Sequence, residues 1–252
     1  MGYSLRKFCY RRNKSLNTTQ IILIGLSHLT VHLVRIEGRD PPYDHNYLLG
    51  GAVYHQLNEF SAEAAKVLHD STARTSYVLS EIYRVTGNTE EAWFRIGTGY
   101  EKVLEIAERA MTEGTTIRIG ETVFRVMNVS IWNSPIPAGE FLTLSPILLK
   151  DTKTGLSIVY DSENYESVLG QAANSQIWNY LKKKGSVNIK HFENLGVRKR
   201  TIKGRTVLAQ KGRFLLEGPE EELRFLVDYG VGLSPALGFG MVVPTLEAEI
   251  YD

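Results

Sequence analysis

Hydrophobic and polar positions alternate over residues 29–36: Leu29, Val31, Leu33 and Val34 stand among Thr30, His32 and Arg35, the signature of a strand. Pro41 and Pro42 then force an extended connection. Leu48, Leu49, Val53 and Leu57 recur at helical spacing, and Asp44 is placed to cap the helix they predict. Ser61 opens a second short helix expected over 62–69. Residues 77–83 are rich in strand formers, Gly87-Asn88 signals a turn, and Trp93-Phe94-Arg95-Ile96 reads as the returning strand of a hairpin. Val103, Leu104, Ile106, Ala107 and Met111 predict a helix over 100–111, and strands follow over 115–119 and 122–131.

The order then returns. A strand is expected over 141–147, a mainly helical stretch over 165–183, and a hairpin from 187–202 and 205–216. Pro219, followed by Glu220, Glu221 and Glu222, opens a helix through Tyr229; the acids suit the positive end of the helix. A last strand falls over 238–243. Each half reads β-α-β-β-α-β, so the expected class is α+β, two tandem ferredoxin-like (RRM-like) βαββαβ domains over 28–133 and 139–252. Pro135 and Pro137 mark the boundary. Residues 1–27 are basic, carry no acid and show no clear period, and are expected to be an N-terminal extension, disordered or artefactual. They imitate a signal peptide, with Arg6, Lys7, Arg11, Arg12 and Lys14 before Ile21-Ile22-Leu23-Ile24, but no small-x-small cleavage site follows. The apolar stretch from Gln20 to Ile36 is broken by Ser27, His28, Thr30 and His32, too short and too polar to span a bilayer, so no membrane partner is expected.

Composition adds a compartment and a puzzle. The chain has 252 residues, 43% hydrophobic and 23% charged, as ordinary globular proteins do. One cysteine, Cys9, excludes an internal disulfide and a cysteine-rich zinc site, and suggests a reducing, cytoplasmic location. The net charge of +1 argues against a polyanion partner, yet the charge is segregated. Between residues 176 and 213 stand eleven bases (Lys182, Lys183, Lys184, Lys190, Arg198, Lys199, Arg200, Lys203, Arg205, Lys211 and Arg213) against one acid, Glu193. From 216 onward eight acids face one base, Arg224. Clustered Lys and Arg gain affinity for nucleic acid by releasing counterions, so the basic segment is a candidate phosphate-backbone footprint; a solvated hairpin face is the other reading.

Several chemistries are excluded. There is no HExxH motif, no phosphate-binding loop and no GxSxG elbow. His28 and His32 share one face of a strand without converging, so no metal site is expected. After Tyr229 comes a loop with Gly230, Gly232, Gly238 and Gly240. Glycines there would present bare backbone N–H groups to an anion or RNA, or let two domains pack closely; spacing alone leaves both open.

That glycine pattern before a final strand, on a chain of two ferredoxin-like units, resembles the RAMP superfamily, and within it the CRISPR repeat-processing endoribonucleases. Three further segments agree: Pro42-Tyr43-Asp44-His45-Asn46-Tyr47-Leu48-Leu49-Gly50-Gly51-Ala52-Val53-Tyr54, Leu68-His69-Asp70, and Phe141-Leu142-Thr143-Leu144-Ser145-Pro146-Ile147. The resemblance covers roughly residues 28–244. It implies a metal-independent endoribonuclease that cuts CRISPR precursor RNA within repeats, needs no cofactor, and uses His69 with Tyr54. The family's following lysine is not matched; Thr75 stands at its spacing, with Arg74 one residue earlier. His55 is a reserve candidate, and His45, at a helix N-terminus, is disfavoured as a cation. The implied partner is repeat RNA, held by Lys182, Lys183, Lys184, Lys190, Arg198, Lys199, Arg200, Lys203, Arg205 and the four glycines. Other CRISPR effector subunits and a homodimer stay open as partners. The competing reading, supported by the unmatched lysine and a glycine loop without bases, is a non-catalytic RAMP subunit that binds guide RNA.

Overall fold

The computed structural model describes residues 28–62, 77–132, 139–160 and 164–245. The N-terminal extension, the Pro135–Pro137 boundary and nearly all of the helix expected over 62–69 lie outside the described residues.

The first unit runs β1 (His28–Glu37), α1 (Asn46–Phe60), β2 (Val78–Leu79), β3 (Tyr83–Val85), β4 (Asn88–Gly97), α2 (Glu101–Ala110), β5 (Thr116–Ile119) and β6 (Thr122–Trp132). Its sheet has the order β2-β4-β1-β6-β5, with β3 also on β4 and every pairing antiparallel. The second unit runs β7 (Gly139–Thr143), β8 (Leu149–Lys150), β9 (Ser157–Ile158), α3 (Tyr165–Leu181), β10 (Asn188–Ile202), β11 (Arg205–Glu217), α4 (Glu220–Tyr229), a short 3-10 turn (Pro235–Leu237) and β12 (Val242–Pro244). Its main sheet has the order β10-β11-β7-β12, and β8 pairs with β9. In both units the first strand is interior: β1 lies between β4 and β6, and β7 between β11 and β12. That is the ferredoxin-like arrangement, found twice.

The periodicities that predict the helices also set their buried faces. Leu49, Val53 and Leu57 line α1 and pack with Leu104 and Ala107 of α2 on Leu29, Val31, Phe94, Ile96 and Phe124. Leu169, Ala173 and Ile177 do the same in α3 against Phe141, Ile189, Phe214 and Leu216. Each such fully buried aliphatic side chain stabilises the fold by about 1.5–3 kcal/mol. Among the described residues no helix is long and apolar enough to cross a membrane.

Four local expectations change, each through a tertiary contact. The polar side of β1 is not solvated: His28 and Thr30 are fully buried, and the His28 Nε2 bonds the Val227 carbonyl of α4 at 3.0 Å. Asp44 does not cap α1; His45 holds that position, its carbonyl accepting from the Leu49 N–H at 2.8 Å, while Asp44 accepts from the Thr201 N–H of β10 at 2.5 Å. The strand expected over 77–83 breaks at Ser80-Glu81-Ile82, where the Glu81 N–H turns to the Leu144 carbonyl and the Ile82 N–H to His45 Nε2. The last strand starts only at Val242, because the glycines before it have other partners.

Candidate functional site

Helix α1 presents Tyr54 half-buried, beside Tyr77, whose hydroxyl is pushed up in pKa by its own burial and then by Tyr54. His55, one residue on, is exposed. His69 and Arg74 lie outside the described residues. His45 is committed: Nδ1–H donates to the Pro42 carbonyl and Nε2 accepts from Ile82, both at 3.0 Å. Burial lowers its pKa, which keeps the ring neutral and makes it part of the scaffold.

The glycine loop packs the two units together. Gly230, Gly232, Gly238 and Gly240 all have positive φ and are buried. Their N–H groups are spent within the chain: on the Leu226 carbonyl, Gln176 Oε1, the Pro235 carbonyl and the Pro146 carbonyl, respectively. A Cβ at Gly240 would land on the Val231 carbonyl oxygen. The Gly238 carbonyl takes a hydrogen bond from Asn46 Nδ2 at 2.5 Å, and the Ala236 carbonyl lies against Gly50, so the loop is fixed to the start of α1. The reading of these four glycines as RNA ligands is therefore corrected. The donors they would offer are already used.

The basic segment also divides. Strands β10 and β11 form a long hairpin that turns at Lys203 and Gly204, both with positive φ, as a two-residue turn matching the strand twist requires. Side chains alternate between its faces. Arg200 points inward opposite Val207, which clusters with Phe239 and Leu237 of the glycine loop, while Lys199 points outward opposite exposed Leu208. Nearer the sheet the bases meet the acids that cancel the net charge: Lys183 meets Glu221 at 2.6 Å, Lys190 meets Glu217 at 2.8 Å, and Arg213 lies between Glu140 and Glu193. Lys182 and Lys184 are exposed at the end of α3. Arg198, Lys199, Lys203 and Arg205, around the hairpin tip, pair with no acid among the described residues.

The inward bases close a cluster between the units. Glu81, delivered by the broken strand, binds Arg200 Nη2 through one oxygen and Lys211 Nζ at 2.9 Å through the other. Burial would raise the Glu81 carboxyl; Lys211 and Arg200 overturn that and hold it below the usual carboxylate value. Arg200 is 2% exposed, so its assignment to the RNA surface is corrected as well. Alongside lies a cleft of about 260 Å³ lined by Arg35, Tyr43, Glu81, Arg84 and Arg198, with Tyr43 itself 65% exposed. Sequence reasoning misses Glu81 and Asn46. The one available signal is an acid set inside a run of strand formers.

A chain of two ferredoxin-like units, clamped by a glycine loop and carrying a basic hairpin, has the build of the RAMP proteins. Residues 134–244 match the family described as CRISPR associated protein Cas6, C-terminal. The CRISPR-associated endoribonuclease Cas6 1 of Methanocaldococcus jannaschii is 25% identical over 222 residues, which is 80% of this chain and 86% of that protein. A solved Cas6-related structure from Pyrococcus furiosus superposes with a TM-score of 0.74 at 17% identity, covering 86% of this chain and 98% of that one. A RAMP protein binding different RNA substrates superposes with a TM-score of 0.73 at 18% identity and the same coverage. The chain is thus similar to Cas6-type proteins over most of its length, and its residues 134–244 carry the Cas6 C-terminal family match.

Proposed function

We propose that this protein is an endoribonuclease that cuts CRISPR precursor RNA within its repeats, without a metal, by attack of the RNA's own 2′-OH. The observation that carries the reading is a junction. The hairpin whose tip bases meet no acid among the described residues is bonded, through Thr201 and Arg200, to Asp44 and Asn46 at the start of the helix that bears Tyr54. One RNA strand lying on the hairpin would thus pass the candidate catalytic helix. The likeness to the CRISPR-associated endoribonuclease Cas6 1 of M. jannaschii supports the endoribonuclease part of this reading.

The chemistry needs little. The substrate supplies the nucleophile; the protein must take its proton, give one to the leaving 5′-oxygen, and stabilise charge on the phosphorane. His69 is assigned the proton transfer, since an ordinary imidazole titrates near about 6.5. Tyr54 positions a reacting oxygen, and Arg74 supplies positive charge without donating a proton. The products are a 2′,3′-cyclic phosphate and a 5′-hydroxyl. Mass analysis of the ends of cleaved repeat RNA tests this, together with His69→Ala. The variant should cut about 10²–10⁴-fold more slowly with nearly unchanged affinity. Tight binding with no cutting by the wild type would make the chain a non-catalytic RNA-binding subunit instead.

A further inference from the structure

Arg200 stands within the basic run of the hairpin, yet it faces the protein. Each of the three nitrogens of its planar fork has an acceptor. Nε donates to Asn46 Oδ1 at 2.9 Å, Nη2 to Glu81 Oε1, and Nη1 to the Lys199 carbonyl at 3.3 Å. Asp44 Oδ1 lies 3.9 Å from Nε, and the guanidinium carbon sits 4.5 Å over the Tyr43 ring. Asn46 passes the link on to the Gly238 carbonyl. One side chain of the second unit thus joins the entry to α1, the broken strand at Glu81 and the glycine loop.

The charges balance: Glu81 and Asp44 against Arg200 and Lys211. Such a buried cluster is a poor source of stability, because desolvation consumes most of the attraction, and apolar residues of similar volume often serve as well. What it supplies is direction. Apolar packing tolerates sliding and rotation of a helix end, whereas a fork with three fixed acceptors does not. The end it fixes belongs to the helix that carries Tyr54, about 12 Å further along at 1.5 Å per residue.

We infer that Arg200 is a positioning residue: it orients α1, and so Tyr54, relative to the hairpin that holds the RNA. This rests on the assignment of Tyr54 to the reaction. The test compares Arg200→Met, Arg200→Lys and Asn46→Ala with wild type, in single-turnover cleavage at saturating repeat RNA, RNA affinity, thermal midpoint and amide exchange over residues 46–50. Arg200→Met should slow cleavage on the order of 10- to 100-fold, since small misplacements of reacting groups cost that much, with affinity nearly unchanged. Arg200→Lys keeps the charge for Glu81 but loses the fork, and should restore the thermal midpoint without restoring the rate. Asn46→Ala, which leaves the Glu81 pair intact, should slow cleavage in the same way, and keeps the question open to measurement if Arg200→Met does not fold. Exchange over 46–50 should quicken in Arg200→Met, Arg200→Lys and Asn46→Ala. A rate that merely follows the thermal midpoint, or an affinity loss with the saturated rate intact, overturns the inference. So does unchanged exchange. If wild type does not cut at all, the functional reading fails, while the exchange result still decides whether Arg200 holds the helix.

Discussion

The division of the basic segment sets up a quantitative contrast. Arg198, Lys199, Lys203 and Arg205 at the hairpin tip have no acidic partner among the described residues, whereas Lys183, Lys190 and Arg213 each have one within 4 Å. A base already neutralised by a neighbouring carboxylate displaces few counterions when RNA arrives. A free one contributes roughly 0.7 to the slope of log affinity against log salt on single-stranded RNA. Alanine at all four tip positions should therefore flatten that slope by about 3. Between about 50 and 200 mM salt, the wild type should then lose roughly 50-fold more affinity than the variant does. Alanine at Lys183, Lys190 and Arg213 should leave the slope within about 1 of wild type. Fluorescence anisotropy of labelled repeat RNA across that salt range reads both. Equal flattening in the two variants, or none at the tip, would refute the assignment of the footprint to the hairpin end.

Tyr54→Phe should slow cleavage in single-turnover assays, though less than the loss of His69 does, while His55→Ala, on the exposed side of α1, should cut at the wild-type rate. Burial lowers the pKa of His28 to about 3, so the unfolded chain takes up a proton that the folded one refuses. Stability should accordingly fall as the pH drops from about 6.5 towards 3; from 6.5 to 5 the loss from this group is on the order of 2 kcal/mol. Urea unfolding at several pH values should show it, and His28→Gln should remove that part of the slope, leaving the smaller part that His32 and His45 add in the same direction. Gly240→Ala should cost at least about 2 kcal/mol, from a positive φ and a Cβ driven into Val231. Gly114→Ala, also at positive φ but with open space around it, should cost only about 1–2 kcal/mol in the same denaturation assay.

Periodic features are legible in the sequence. The alternation of Leu29, Val31 and Leu33, and the four-residue spacing of Leu49, Val53 and Leu57, are local signals that survive folding because one face meets the core of its own unit. What escapes a linear reading depends on the other unit. Asp44 has the chemistry of a helix cap, but a backbone N–H of β10 claims it. Glu81 interrupts a strand because its partners, Arg200 and Lys211, lie more than a hundred residues away. Arg198, Lys199 and Arg200 look like one basic run, yet strand alternation turns Arg200 inward and Lys199 outward. The glycine loop reads equally well as an anion cradle or a packing joint; only the acceptors of its N–H groups separate the two.

The proposed cut uses the RNA's own hydroxyl and no metal. The direct measurement is incubation of the full chain with repeat RNA in excess EDTA, beside the same RNA carrying a single 2′-deoxy at the cleavage site. Cleavage of the all-ribose RNA alone, at a rate EDTA does not change, is the expected result. Cleavage of both RNAs, or its loss in EDTA with recovery on adding a divalent cation, would contradict it.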